Sequence, residues 1–195
     1  TKPQEAVVEA LEAGQMIFGE NRVQESQGKY PDLRADWPEM ELHLIGPLQT
    51  HKTQAALALF DVIHTVDRPK LVRSIAKESQ ALGRCPKLLI QVNTGEEDQK
   101  AGVLPSDVEA LVQFTREENL PLAGLMCIPP VEDALAHLSV PGLPLGNVLG
   151  LGVTLHDHPR VVLVHRPGRH LRPATRATPG GPRRAAAILL LGRWA

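Results

Sequence analysis

Residues 16–25 of the chain read MIFGENRVQE, and this stretch indicates how the protein folds. The apolar run Met16 to Phe18 is typical of a short buried strand, and the polar pair Glu20 and Asn21 follows it directly. Similar apolar runs stand at 42–45, 61–66, 87–92 and 122–127. Stretches with the apolar spacing of helices separate these runs, at 4–13, 50–60, 68–82 and 105–118. Strands that alternate with helices at such intervals predict parallel β/α units.

Polar side chains stand where the predicted strands end. Asn21 follows the first strand, Gln49 follows the second, His64 and Asp67 close the third, and Asn93 closes the fourth. In a parallel β/α barrel the carboxyl ends of the strands meet at one face, where active sites are built. The sequence therefore predicts a functional site at that face.

Composition limits the class of protein. The two cysteines, Cys85 and Cys127, imply no disulfide framework and favour a reducing cytoplasm. No charged-then-apolar leader pattern opens the chain, and its longest apolar run, 185–191, is far below the roughly 20 residues of a membrane span. A net charge of -1 and an aromatic content of 3% argue against a nucleic-acid partner.

The composition changes near residue 134. The stretch 134–195 contains eight arginines, no lysine and a single acidic residue, Asp157. It is rich in Gly and Pro, which predicts an irregular basic tail that turns often and buries little. His156 and His158, with His165 and His170, form a superficial metal pattern, but no Cys or Glu supports them and no metal site is predicted.

Four segments stand out in chain order: FGENRVQE at 18–25, HLIGPLQTHK at 43–52, QVNTGE at 91–96 and GLMCIP at 124–129. Together they resemble one known family, the pyridoxal phosphate (PLP) homeostasis proteins, which are similar to the barrel domain of alanine racemase. The resemblance runs from Thr1 to about Asp133. It implies an incomplete parallel (β/α)8 barrel of TIM type, the PLP fold type III, with about five strands. The expected domains are a partial PLP-binding barrel at 1–133 and an atypical tail at 134–195.

The resemblance implies that PLP is the cofactor and that Asn21, His43, Gly46, Asn93 and Met126 bind it. Each residue also has a structural alternative. Asn21 could cap the helix that follows it, His43 and Met126 could be core residues, and Gly46 could serve the strand-to-helix turn. The acidic run after Asn93 could be a solvated face. No catalytic residue and no metal ligand is expected.

The resemblance also marks what the chain lacks. The family motif Ser-Lys-Thr-Lys-Pro carries the Schiff-base lysine, and the chain opens at Thr1, directly after that lysine. Lys2 lies two positions beyond it, and Lys100 corresponds to a loop lysine of the family. The family's phosphate-binding segments, around Ser-Met-Gly-Met-Ser and a late Gly-Thr/Ser-x-x-Phe-Gly, are not found after residue 133.

The family implies a non-catalytic cytoplasmic carrier of PLP, mostly monomeric, with PLP-dependent apoenzymes as possible partners and no membrane partner. We expect this chain to be impaired in that role because the Schiff-base lysine is absent. A racemase-like enzyme is the alternative, but Tyr30, the only tyrosine, lies in a predicted loop, and racemisation needs a second base. A third alternative is a non-functional gene fragment whose residues from about 134 onward are translated out of frame.

Overall fold

A six-stranded parallel sheet forms the framework of the protein. The computed structural model describes residues 2–128, 148–155, 158–165 and 189–190. In chain order the strands are β1 (Ile17–Glu20), β2 (Glu41–Leu44), β3 (Val62–Val66), β4 (Lys87–Val92), β5 (Leu122–Cys127), β6 (Val148–Leu155), β7 (His158–His165) and β8 (Leu189–Leu190). The sheet has the order β5-β4-β3-β2-β1-β8, while β6 and β7 pair with each other.

Helices connect the parallel strands. They are α1 (Gln4–Glu12), α2 (Val23–Gln27), α3 (Tyr30–Asp36), α4 (Thr53–Leu59), α5 (Pro69–Leu82) and α6 (Val108–Glu117), and short 3-10 turns precede α4 and α6. Pro69 occupies the first turn of α5, where its missing N–H costs nothing, and Gly83 ends that helix in the left-handed conformation. None of the helices within the described residues has the length and apolar character needed to cross a membrane.

The main hydrophobic core lies between the helices and one face of the sheet. Phe18, Leu42, Leu44, Ile63 and Ile90 point from the strands into this core. Because successive side chains of a strand point to opposite faces, the intervening residues lie on the other face. There Val62, Leu89 and Met126 form a second, smaller cluster. We call this second face the inner face.

The predicted parallel architecture is confirmed. The five strands of the body lie side by side in chain order, all parallel. β1 begins and ends later than predicted, because its pairing with β2 runs from Ile17, opposite Glu41, to Glu20, opposite Leu44.

The predicted loop around Tyr30 is wrong, since Tyr30 begins α3 and is fully buried. A tyrosine beside Pro31 and Asp32 suggested a turn, but burial against Phe18 decides its structure.

The tail also contains regular structure where an irregular segment was predicted. β6 and β7 form an antiparallel ladder from Val148↔His165 to Leu155↔His158. The β-branched run Val161–Val162 lies in β7, and such residues favour strands even in a Gly-rich context. β8 pairs in parallel with Phe18 and Gly19 of β1. His156, Asp157 and His170 of the histidine pattern lie outside the described residues.

Candidate functional site

The predicted site residues gather at or near the carboxyl ends of the parallel strands. Asn21 directly follows β1, Gly46 lies just beyond β2, and Asn93 directly follows β4. His43 and Met126 are the penultimate residues of β2 and β5. Because the strands are parallel neighbours, these positions lie along one edge of the sheet, as expected for a ligand site of this architecture.

Gly46 touches the backbone of Asn21. A Cβ atom added to Gly46 would lie 2.1 Å from the carbonyl oxygen of Asn21 and 2.7 Å from its Cα atom, so only glycine fits. The carbonyl oxygen of Gly46 accepts a hydrogen bond of 2.8 Å from the hydroxyl of Thr65 on β3. These contacts fix the ends of three neighbouring strands against one another.

The side chain of Asn21 does not cap a helix. The N-cap residue of α2 is Arg22, and no side chain donates or accepts a capping bond there. The Oδ1 atom of Asn21 is buried and has no hydrogen-bond partner among the described residues. A buried acceptor without a partner is costly, which makes this oxygen suited to a ligand that donates a hydrogen bond.

His43 pairs with His64, which the strand pattern placed at the predicted face but which the family resemblance did not imply as a PLP ligand. The Nδ1 atom of His43 lies 2.9 Å from Nε2 of His64 on β3, and both imidazoles are buried. The Nε2 atom of His43 lies 3.1 Å from Oε1 of Glu41, without the geometry of a hydrogen bond but with a carboxylate against that nitrogen. His43 is therefore neither isolated nor a purely apolar core residue.

The environment of His64 holds its imidazole neutral. Burial, and after it the nearby His43, lowers the pKa of His64 to about 3, although the carboxylate of Glu41 acts in the opposite direction. Its Nδ1 atom is buried, and no described residue forms a hydrogen bond with it. In the sequence, His64 stood out only by its place near the end of an apolar strand. Its pairing with His43 could not be predicted, because the two residues lie on different strands.

Asn93 holds the loop that follows β4. Its Nδ2 atom donates to the carbonyl oxygens of Glu97 at 2.8 Å and Lys100 at 3.4 Å, and its Oδ1 atom accepts from the backbone N–H of Glu97. Gln91 adds a bond to the carbonyl oxygen of Ala101. Both amides thus fold the loop back onto the end of β4, so Asn93 would act on a ligand chiefly by positioning this loop.

Met126 belongs to the inner face. It is buried against Val62 and Leu89, with Ile128 packed beside them. Their side chains give the inner face an apolar surface next to the buried histidines. Such a surface suits one face of an aromatic ring.

A buried ion pair lies on the other side of β1. Glu20 is fully buried, pairs with the amine of Lys29 and accepts a hydrogen bond of 3.1 Å from the hydroxyl of Tyr30. Burial, with the charge of Glu20 beside it, raises the pKa of Tyr30 far above its usual range. The group lies on the helix side together with Phe18, so it fixes the segment after β1 and does not face the inner face.

Within residues 2–128 and the described strands of the tail, no group of three or more His, Cys, Asp or Glu residues could hold a metal ion.

Comparison with known proteins assigns the chain to a family. It matches the sequence profile of the alanine racemase N-terminal domain over residues 4–140. It is 42% identical over 137 residues to the pyridoxal phosphate homeostasis protein of Vibrio alginolyticus, covering 66% of this chain and 57% of that protein. To the protein of that name from Escherichia coli strain K12 it is 37% identical over 135 residues, covering 68% and 58%. The chain thus spans about three fifths of the length of these curated relatives.

Solved structures agree with these sequence matches. The structure of PipY from Synechococcus elongatus PCC7942 without PLP is 41% identical, with a TM-score of 0.62 over 67% of this chain and 61% of that one. The PipY structure with PLP bound has a TM-score of 0.59 at 39% identity, over 67% and 60%. Alanine racemase of Clostridium difficile 630, at 16% identity and a TM-score of 0.50 over 63% of this chain and 31% of that one, shares the fold alone. Because the profile matches well over half of its residues, the chain belongs to the alanine racemase N-terminal domain family, within which it resembles the pyridoxal phosphate homeostasis proteins.

Proposed function

We propose that this protein binds PLP at the carboxyl edge of its parallel sheet and acts as a non-catalytic carrier of the cofactor. The observation that carries the proposal is the Oδ1 atom of Asn21, a buried acceptor without a partner in the described part of the chain. Gly46 lies against the backbone of Asn21 at the edge where parallel β/α units bind ligands. The relative PipY, solved with PLP bound, supports the choice of ligand.

The described residues fit part of what PLP needs from a protein. PLP carries a flat ring, polar ring substituents and a phosphate, and it supplies an aldehyde that reacts with amines. Asn21 would accept a hydrogen bond from a polar substituent, and Met126 with Val62 would cover one face of the ring. Asn93 would hold the loop of Lys100 near the mouth of the site.

Titration of the full chain with PLP tests the proposal. Quenching of protein fluorescence would report binding, and we expect Asn21→Ala to weaken it by about tenfold, the value of one lost hydrogen bond. Gln113→Ala, a change at an exposed amide on α6, is the matched control and should bind like the unaltered chain. Equal binding by the Asn21→Ala variant would contradict the assignment of Asn21.

We infer further that the chain holds PLP without a covalent bond to a described lysine, and so holds it weakly. The amines of the described lysines near the strand ends already have partners: Lys29 pairs with Glu20, and Lys100 pairs with Glu97. Lys2 is exposed and lies outside any strand. Reduction with borohydride in the presence of PLP should therefore label no single lysine stoichiometrically. Stoichiometric labelling of Lys2 or Lys100, located by mass spectrometry, would overturn this inference.

The environment of Tyr30 supports a carrier over a racemase. A racemase of this fold needs a second base on the opposite face of its substrate. Tyr30 is buried on the helix side, where its hydroxyl donates to Glu20 and the amine of Lys29 lies 5.4 Å from the centroid of its ring. Incubation with PLP and L-alanine should give D-alanine no faster than PLP alone, and faster conversion would favour the enzyme.

Delivery of PLP to PLP-dependent apoenzymes by a monomeric, cytoplasmic chain completes the proposal. The names of the relatives support a role in PLP homeostasis. An apoenzyme mixed with the PLP-loaded chain should regain activity faster than the same apoenzyme mixed with free PLP. The free PLP would be set to the concentration that the measured affinity predicts to dissociate from the chain. Equal rates would mean that the chain only buffers the cofactor.

A further inference from the structure

We propose that Glu41, His43 and His64 form a relay that fixes the tautomer of His64 and presents its unprotonated Nδ1 atom as an acceptor for a hydrogen-bond donor on the ligand. The donor would be a hydroxyl group or a protonated ring nitrogen. This proposal rests on the proposed function, because PLP offers both kinds of donor. It adds a ligand contact on β3 to the contacts at the strand ends.

The position of His64 brings it into the candidate site. His43 is in register with Val62, and His64 lies two residues further along β3 on the same face. Val62 packs against Met126, so the two histidines and the apolar cluster share the inner face. His64 is buried, and its Nδ1 atom lacks a hydrogen-bond partner within the described ranges. A buried polar atom of this kind points to a partner that the protein itself does not supply.

The charge of Glu41 decides the tautomer. Its Oε1 atom lies 3.1 Å from Nε2 of His43, and a carboxylate favours a proton on the nitrogen that faces it. An imidazole of His43 that has its one proton on Nε2 has a lone pair on Nδ1. That lone pair must accept the 2.9 Å hydrogen bond from Nε2 of His64. His64 therefore carries its only proton on Nε2, and Nδ1 is left with a free lone pair.

The opposite arrangement is less favourable. It would place the proton of His43 on Nδ1 and leave a lone pair on Nε2 against the carboxylate of Glu41, which is repulsive. Lys87, whose amine lies 3.8 Å from the same carboxylate oxygen, pairs with Glu41 at the start of β2. The relay thus runs from Glu41, at the start of β2, to the buried imidazole of His64.

The chemistry of the Nδ1 atom defines what it can bind. Burial keeps the ring neutral, with the pKa of His64 about 3, so at neutral pH the atom accepts a hydrogen bond and cannot donate one. A carboxylate or a doubly charged phosphate, which offers only acceptors, is therefore excluded as its partner. A hydroxyl group or a protonated ring nitrogen satisfies it.

Nitrogen NMR of the imidazole rings in the full chain tests the tautomer without any ligand. The signals of His64 would be assigned by their loss in the His64→Gln variant. We expect an unprotonated Nδ1 and a protonated Nε2 for His64, and the same tautomer for His43. A proton on Nδ1 of His64 would overturn the relay.

Addition of PLP then tests the ligand contact. We expect the Nδ1 resonance of His64 to move toward that of a hydrogen-bonded nitrogen in proportion to the bound fraction. Binding that leaves this resonance unchanged would overturn the contact while the proposed function stands. No binding by the unaltered chain would overturn the proposed function and the ligand contact together, and the tautomer measurement would still judge the relay.

The Glu41→Gln variant tests the contact between Glu41 and His43. It leaves the hydrophobic core unchanged, because Glu41 is half-buried at the start of β2. Without the carboxylate both tautomers of His64 should be populated, and PLP should bind about tenfold more weakly. Glu39→Gln, a loss of the same charge at an exposed neighbouring residue, should change neither property. An unchanged tautomer in the Glu41→Gln variant would remove Glu41 from the relay.

Discussion

Two glycines position the two asparagines of the candidate site. Gly46 lies against the backbone of Asn21, and Gly102 lies against that of Asn93, where an added Cβ atom would be 2.6 Å from the backbone nitrogen. Gly102 also has a φ angle of 128°, which residues other than glycine rarely adopt. The motif at 43–52 identified Gly46, whereas the contact of Gly102 with Asn93 is set by the folded loop and is not encoded in a local pattern.

Replacement of Gly46 by alanine should separate the ends of β1 and β2. The new methyl group would collide with the Asn21 backbone, which cannot move without breaking strand pairing. We expect a loss of about 1–3 kcal/mol or more in the free energy of unfolding, measured with urea. Gly28→Ala is the matched control, because its Cβ atom would meet nothing closer than 3.8 Å. Equal stability of both variants would contradict the close approach.

The neutral His64 should make stability depend on pH. Its pKa is about 3 in the folded chain and near 6.5 in the unfolded chain, so the unfolded state binds the extra proton. The stabilising contribution is complete above pH 6.5 and falls by up to about 1.4 kcal/mol per pH unit as the pH drops toward 3.

Urea unfolding at pH 7.5 and 5.5 checks this prediction. The unaltered chain should lose more stability between these two pH values than the His64→Gln variant, which has no imidazole to protonate. His51→Gln, a change at an exposed histidine of the turn before α4, should behave like the unaltered chain. Equal losses in all three proteins would show that His64 is not buried in its neutral form.

At the scale of elements, a buried ion pair joins β1 to the helices after it. Glu20 ends β1, and its partners Lys29 and Tyr30 stand at the start of α3. The amine of Lys29 also donates to the carbonyl oxygen of Lys2 ahead of α1. This group fixes the segment that carries Asn21 between two anchored ends.

Loss of Glu20 should destabilise the chain strongly. Glu20→Ala leaves the amine of Lys29 in a largely buried place without its carboxylate, and such losses cost about 3–5 kcal/mol. Arg22→Ala, which breaks only the exposed pair with Glu25, should cost less than about 1 kcal/mol. Urea unfolding measures both. A double variant, Glu20→Leu with Lys29→Met, should recover much of the loss, and failure to recover would point to packing as the cause.

At the scale of the whole molecule, the body and the tail differ in character. The body has mixed charge and regular helical spacing, whereas residues 134–195 are basic, rich in Gly and Pro, and without Lys or Glu. We propose that the residues from about 134 onward are translated out of frame, although two tail strands pair with each other and a third pairs with β1.

Translation of the gene in its other forward frames checks this proposal. We expect a Ser-Met-Gly-Met-like segment, followed by a Gly-x-x-x-Phe-Gly-like segment, in another frame downstream of codon 134. Their absence from every frame, with slow hydrogen exchange throughout β6 and β7, would identify the tail as a true part of the fold.

The sequence determined the architecture, because apolar periodicity is local and the spacing of strands and helices leaves few topologies. It placed Asn21, Gly46 and Asn93 at one edge, since parallel strands bring their carboxyl ends together. Tertiary structure alone decided what surrounds each side chain. The pairing of His43 with His64, the burial of Tyr30 against Glu20 and the contact of Gly102 with Asn93 all join residues from different elements. Such contacts depend on strand register and loop closure, which no local pattern encodes.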